Sequence, residues 1–209
     1  MMHSNGRSLL VAAALTGAAQ LGAQQLTHER AFGSVSSYLI SIPIGDTRQF
    51  INDPSWLGLS WEGLWPYRGN MVVGAQLGVH DFYAENDGTV NFDWGAATGH
   101  QFRDLTVATV MGTSRWYLSG IVGHGTYAGI GAGFLYSRQA YQLGVIPQIE
   151  RSAFHLAISP EVGVGIPIFD GVDAVVSAKY TVPAWAGDYL QGGSKSFQFL
   201  TIGLGLAEH

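Results

Sequence analysis

The sequence predicts an all-β protein: an eight-stranded antiparallel up-and-down transmembrane β-barrel, preceded by a cleavable signal peptide. Three observations support this fold class. A short apolar segment lies near the N-terminus, runs of period-two alternation recur along the rest of the chain, and the breaks between these runs alternate between long and short. Helical periodicity is too weak for crossover units, which argues against a parallel α/β fold.

The N-terminus has the pattern of a secretory signal. Arg7 precedes about a dozen mostly apolar residues, and Ala23 ends a small-residue cleavage pattern. This run is too short to cross a bilayer. We therefore expect a signal peptide at 1–23 and one barrel domain at 24–209. Cleavage after Ala19 and retention as an N-terminal anchor are the alternatives.

The runs of alternation have an unusual second face. In the third run, Leu77 and Val79 alternate with Gly78 and His80, and most other runs also place small residues between the large ones. Small side chains suit a narrow barrel lumen, and large apolar ones suit lipid. A soluble secreted calycin would carry more charge on its water-facing side. The predicted strands are 33–44, 56–65, 71–83, 105–117, 127–139, 154–168, 174–182 and 197–206.

The breaks between runs give the predicted barrel two different ends. Longer polar segments follow the odd-numbered runs, and shorter ones follow the even-numbered runs. Asp170-Gly171 in the last short break is a hairpin signal. This alternation is typical of outer-membrane barrels. The long segments are 45–55, 84–104, 140–153 and 183–196, and the short ones are 66–70, 118–126 and 169–173.

Aromatic residues cluster near the ends of the runs. Trp56 and Trp65 bracket the second run, and nine residues at ~3.3 Å each, tilted by ~40°, span ~23 Å. That height approaches the ~25 Å apolar band between the aromatic girdles of membrane barrels. The predicted membrane-interface aromatics are Trp56, Trp65, Tyr83, Trp116, Tyr127 and Tyr136.

A few ionisable residues have the parity of the lumen face. Glu62, Glu161 and Lys179 lie on it, and either Arg115 or Arg138 joins them. A buried charge is costly unless it is paired. We expect Lys179 to pair with Glu161 or Glu62, in a lumen polar network of Glu62, Glu161, Lys179 and Arg115 that fills the interior.

Several segments resemble a known group of proteins. "SYLISIPIGDTRQFINDPSWLGLSWEG", "TYAGIGAGFLYS" and "PEVGVGIPI" followed by "VVSAKY" are similar to strands of the OmpA/OmpX-like, porin-family outer-membrane β-barrels. The resemblance implies the outer membrane of a Gram-negative bacterium, contact with its lipid, and insertion by the barrel-assembly machinery. It implies hardly anything about activity. We predict a structural or surface-interaction role, with an unidentified ligand at the long loops.

Composition excludes several other functions. The net charge of −5 argues against a nucleic-acid partner, and the absence of cysteine excludes thiolate chemistry. The histidines lack metal-ligand spacing. His155 and Ser159 would lie ~13 Å apart on one strand, too far for a catalytic hydrogen bond. The acidic segment "ENDGTVNFD" lacks the ligand order of an EF-hand.

We therefore predict no catalytic residues, no cofactor and no metal. The alternative functions are a membrane-embedded lipid-modifying enzyme and a conduit for small hydrophobic solutes.

Overall fold

The computed structural model of the 209-residue chain describes residues 33–92, 95–119, 124–144, 148–185 and 197–208. Side chains are described in these ranges except at 90–92, 95–97, 184 and 185. The predicted signal peptide lies outside the described residues, and the domain boundary at residue 23 stays a prediction.

The described residues form a closed barrel of antiparallel strands, in which each strand pairs with its neighbours in the chain and β1 pairs with β8. The predicted fold class is confirmed. The strands are β1 Gly33–Ile44, β2 Leu57–Arg68, β3 Met71–Phe92, β4 Gly95–Tyr117, β5 Gly125–Leu143, β6 Ile149–Phe169, β7 Val172–Trp185 and β8 Gln198–Glu208.

The two ends of the barrel differ in their connections. We call the end with the longer connections the loop end and the opposite one the turn end. Asp170 and Gly171 form the β6–β7 turn. Gly171 has a φ of 75°, a backbone conformation that would be strained in a residue with a side chain. At the loop end, one short helix, α1 Gly45–Phe50, follows β1. Among the described residues, no helix is long and apolar enough to cross a membrane.

The segment 84–104, expected to be a loop, instead continues β3 and β4 as a long hairpin. Pairing extends from Met71–Trp116 to Phe92–Gly95. Beyond Asp81, the last residue of β3 that pairs with β2, the hairpin projects past that neighbour. Strand pairing continues through this segment although apolar alternation does not, so the loop reading was wrong.

Strand parity separates two surfaces. Large apolar side chains of the exterior remain exposed, and small or polar ones point into the lumen. Leu77 and Val79 lie outside, whereas Gly78 and His80 lie inside, as the alternation predicts. The exposed apolar exterior includes Tyr38, Leu57, Leu59, Leu77, Val110, Ile130, Phe134, Leu156, Ile158, Val162, Val176, Ile202, Leu204 and Leu206.

One seam of the barrel is less regular than the others. The β6–β7 ladder shifts register at Leu156/Ala157 and has no backbone pair between Ile158–Val182 and Glu161–Lys179, where the hydroxyl oxygens of Ser159 and Thr181 lie 3.0 Å apart instead. Pro160 lies in this gap and Pro183 borders it. Because proline lacks an N–H group, neither residue donates to the ladder.

Candidate functional site in the lumen

The lumen near the turn end holds a compact charged cluster. Arg115 contacts Glu62 and lies 3.3 Å, from Nη2 to Oε1, from Glu161. The Nζ atom of Lys179 lies 3.4 Å from Oε2 of Glu161. All four side chains are buried. Two carboxylates and two cations leave the cluster without net charge, which limits the cost of burying it.

Hydroxyl groups complete this cluster. Tyr127 donates a 2.7 Å hydrogen bond to Glu161, and Thr113 donates a 2.5 Å bond to Glu62. The guanidinium of Arg115 lies over the Tyr127 ring, 4.8 Å from its centroid. Each carboxylate therefore accepts from a hydroxyl as well as from a cation, which satisfies more of its lone pairs.

Glycines beside β4 allow Arg115 to reach across the lumen. Arg115 pairs with Gly129 on β5, which pairs in turn with Glu161 on β6. A Cβ atom at Gly129 would lie 3.2 Å from Cγ of Arg115 and 2.9 Å from the Ser114 carbonyl oxygen. A larger residue would crowd the stem of Arg115 and the β4 backbone. Gly129 therefore leaves the room that the Arg115 side chain needs to reach Glu161.

Tyr127 lies in the lumen rather than at the membrane interface, so its predicted role was wrong. Its side chain is 1% exposed. Odd-numbered residues of β5 face inward, and Tyr127 shares that parity with Gly129. A Cβ atom at Gly163 would approach the Tyr127 ring to 2.5 Å, so glycine makes room for the ring. Strand parity could have revealed this position, whereas the spacing to Tyr136 could not.

The other predicted interface aromatics lie on the exterior. Trp56 and Tyr83 are exposed near the loop end, and Trp65 and Trp116 near the turn end. Tyr136 is half-buried against Phe154, with ring centroids 5.0 Å apart.

Arg138, the sequence alternative to Arg115, also faces outward. It forms a two-pronged ion pair with Glu150, with oxygens 2.7 Å from Nη2. Only Arg115 of the two arginines belongs to the lumen cluster.

A polar layer lies between the charged cluster and the loop end. It surrounds a cavity of about 20 Å³, large enough for about one water molecule. Ser41 Oγ lies 2.8 Å from Nδ1 of His80 and 2.9 Å from Oγ1 of Thr201. The cavity is lined by Leu39, Ser60, Gln76, Gly78, His80, Thr109, Met111, Ser159, Lys179, Thr181 and Thr201.

The lumen at the loop end is packed with apolar side chains. Phe197 and Phe199 have ring centroids 5.6 Å apart, and Phe199 contacts Phe82 at 6.0 Å. Phe50 and Ile51, at the end of α1, pack into the same layer. The buried members are Phe50, Ile51, Phe82, Ala84, Leu105, Val107, Met111, Leu135, Ala157, Phe197 and Phe199.

Two serine–histidine contacts lie in the lumen, and sequence reasoning did not identify either pair. Ser137 Oγ lies 2.9 Å from Nε2 of His155, and Ser41 contacts His80. Each pair joins different strands, so their spacing in the chain gives no signal. All four residues are buried. Neither serine faces a surface from which a substrate could approach it.

The exterior of the projecting hairpin holds a further ionisable group. His100 Nδ1 lies 2.6 Å from Asp87, and Nε2 lies 3.5 Å from Glu85. The hydrogen bond that His100 donates to Asp87, together with the nearby negative charges, raises the pKa of His100. Because the carboxylates contact opposite ring nitrogens, they do not converge on a metal. No group of three His, Asp or Glu residues in the described ranges is arranged to hold one.

Comparison with known proteins identifies the fold through structure rather than sequence. No protein-family model matches the chain, and no curated protein matches it. The structure of Ail, the attachment invasion locus protein of Yersinia pestis, in complex with the heparin analogue sucrose octasulfate, matches with a TM-score of 0.54 and 9% identity, over 87% of this chain and 99% of that one.

Neisserial surface protein A (NspA) matches with a TM-score of 0.56 and 9% identity, over 87% of this chain and 99% of that one. At this identity the likeness concerns the fold alone. The chain thus has the fold of the small eight-stranded outer-membrane β-barrel proteins.

Proposed function

We propose that the chain is an integral outer-membrane protein with a structural or surface-interaction role, and that side chains close its lumen. The observation that carries this proposal is the filling of the lumen by two layers of different chemistry. The apolar layer lies at the loop end, and the cluster of Glu62, Arg115, Glu161 and Lys179 lies toward the turn end. An ion crossing the barrel would have to displace both layers.

The membrane location is supported by the exterior. Apolar side chains such as Leu77, Val110 and Phe134 are exposed around the barrel. Above them, toward the loop end, the exterior becomes polar at Asp81, which accepts a 3.0 Å hydrogen bond from Thr106. An exposed apolar band with polar margins suits lipid and would be poorly soluble in water. Insertion would then depend on the barrel-assembly machinery.

A surface role is supported by the projecting β3–β4 hairpin, whose ligand we leave unidentified. Ail has been seen with a sulfated ligand. We do not extend that ligand to this chain, because the exterior of its hairpin carries Glu85, Asp87 and Asp104. Negative groups at that surface would repel sulfate.

An enzymatic role has little to support it. The contacts Ser41–His80 and Ser137–His155 are buried inside the lumen. A lipid-modifying enzyme needs its nucleophile within reach of a lipid. The proposal therefore assigns neither serine a catalytic role.

Location and closure are tested separately. In a Gram-negative host, the mature chain should remain with the outer membrane after carbonate washing; recovery from the soluble fraction would contradict the location. The purified full chain in planar bilayers should give no steady conductance. Large, steady single-channel currents would contradict a closed lumen and indicate an open pore.

The irregular β6–β7 seam favours a second candidate, a conduit for small hydrophobic solutes. Missing ladder bonds near Pro160 lower the cost of parting these strands, and the apolar lumen layer lies at similar height. A disulfide between Ile158→Cys and Val182→Cys, which pair across this seam, should then block solute uptake. The control pair, Ala178→Cys with Ile202→Cys, spans the regular β7–β8 seam. Equal uptake in both locked proteins would exclude lateral passage.

A further inference from the structure

We propose that α1 is a lid over a binding chamber in the loop-end half of the lumen, and that the chamber takes a small amphipathic carboxylate. Phe50 and Ile51 occupy the chamber in the state seen in this structure. The proposal goes beyond the structural role and needs no passage through the barrel, because the charged cluster forms a floor below the chamber.

The chamber walls are aromatic and aliphatic side chains from several strands. Phe82, Leu105, Leu135, Phe197 and Phe199 are fully buried there. Small-molecule sites are typically concave and mostly apolar, with a few polar groups that fix orientation. With Phe50 and Ile51 withdrawn, these walls would have that character.

Hydrogen bonds hold the lid segment at both ends and in its middle. Ser41 and Ser55 pair through their backbones at 2.7 and 2.9 Å and anchor both ends of the lid segment. Between these anchors, Thr47 Oγ1 accepts a 2.7 Å hydrogen bond from the backbone N–H of Gln198. The Ile44 position offers no side-chain cap to the six-residue helix. A helix this short is unstable alone, so its conformation depends on the contacts with the barrel.

Arg103 connects the lid to the rim of the chamber. Its Nη1 atom donates to the Phe50 carbonyl at 2.7 Å and to the Gln49 carbonyl at 3.3 Å. The guanidinium also lies 5.9 Å from the Phe50 ring centroid and 5.7 Å from that of Tyr141. These carbonyls end the helix, where a cation is favourable.

The same arginine determines the class of ligand. If the lid opens, Arg103 loses its carbonyl acceptors but stays at the mouth of an apolar chamber. A carboxylate accepts two parallel hydrogen bonds from a guanidinium and is a stronger acceptor than a carbonyl. A molecule with an apolar chain and one carboxylate would thus replace Phe50 in the chamber and the helix carbonyls on Arg103.

The experiment uses the full chain in lipid nanodiscs with two fluorescent probes, cis-parinaric acid and its methyl ester. Phe50→Ala vacates part of the chamber and should lower the apparent Kd for the acid by about tenfold, because less of the binding energy is spent on expelling the lid. Phe154→Ala removes a phenylalanine from the exterior and should match the wild type. An equal effect of the two substitutions would overturn the proposal.

A closed state is made with Thr47→Cys and Gln198→Cys, and the chain has no other cysteine. After oxidation, confirmed by gel mobility, binding of the acid should be lost, and reduction should restore it. Undiminished binding by the oxidised protein would place the probe outside the chamber.

The headgroup contact is tested with Arg103→Gln. This variant should bind the acid and the ester equally, whereas wild type prefers the acid; Arg138→Gln on the exterior should retain the preference. Equal binding of acid and ester by wild type would exclude Arg103 as the headgroup partner. The charged cluster is unchanged in all variants, so conductance still reports separately on closure of the lumen.

Discussion

The two halves of the lumen are filled by different chemistry, and the difference lies in what each half tolerates. Near the loop end, Phe82, Phe197 and Phe199 interact without direction, so a side chain of similar volume can replace another. Near the turn end, Arg115 and Glu161 depend on each other, because an unpaired charge in the lumen is costly. The stability of the loop-end half therefore depends on side-chain volume, and that of the turn-end half depends on every charge keeping its partner.

The largest expected effect comes from removing the central cation. Arg115→Met would leave the Glu62 carboxylate without its cation and Glu161 with Lys179 alone, and should lower the free energy of unfolding by ~3–5 kcal/mol. Urea unfolding in lipid vesicles measures it. Adding Glu62→Gln should recover part of the loss, since the cluster is again neutral. A double variant less stable than the single one would contradict the charge-balance account.

A charge placed on the exterior extends the comparison from lumen to lipid. Leu77→Arg should cost ~2–4 kcal/mol, because the cross-strand neighbours of Leu77 in the apolar band are Trp61 and Val110. Gln76 neighbours Leu77 but faces the lumen, so Gln76→Leu serves as the control for a substitution at this height that leaves the exterior unchanged. Folding of Leu77→Arg in vesicles with wild-type stability would show that this face does not meet lipid.

The apolar half should be more forgiving. Phe199→Leu retains most of the apolar volume and should cost less than ~1.5 kcal/mol. In contrast, Glu161→Gln changes little volume but removes the negative charge that pairs with Arg115 and Lys179. It should therefore destabilise the barrel more than Phe199→Leu does. Vesicle unfolding of the two variants side by side tests the order. The reverse order would mean that packing, rather than charge, dominates both halves.

Much of the barrel could be predicted because period-two alternation reports directly on two faces with different surroundings. The same logic placed Glu62, Glu161 and Lys179 inside. It left Arg115 open, since the alternation of the fourth run is the least regular, and with it the alternative that Arg138 of the fifth run takes that place. The Arg115–Glu161 contact could not be predicted, because it depends on the register that brings Gly129 between them.

Two other features had no readable signal. The extension of β3 and β4 beyond residues 83 and 105 lacks regular apolar alternation, although strand pairing continues through it. The inward fold of α1 depends on tertiary contacts with Arg103 and Gln198, which are distant in the chain. Tyr127 differs from these two features. Its strand parity indicated the lumen, but its spacing from Tyr136 led to the prediction of a membrane-interface position.

The smallest expected effect is at His100, where the charges are exposed and can be followed by pH. Because contact with Asp87 and Glu85 raises the pKa of His100, the imidazolium stabilises the hairpin. That contribution is complete below the unfolded pKa of about 6.5 and is lost as the pH rises through the higher folded pKa.

Protease cleavage of the hairpin should therefore accelerate modestly as the pH rises above about 6.5. His100→Gln should remove this pH dependence. Asp87→Asn should shift the NMR-detected titration of His100 toward its ordinary pKa, because Asp87 is the main cause of the shift. Glu150→Gln, which disturbs the exposed ion pair with Arg138 instead, should leave the titration unchanged. If Asp87→Asn leaves the pKa of His100 unchanged, the hairpin charges act independently in solution, unlike the coupled charges of the lumen.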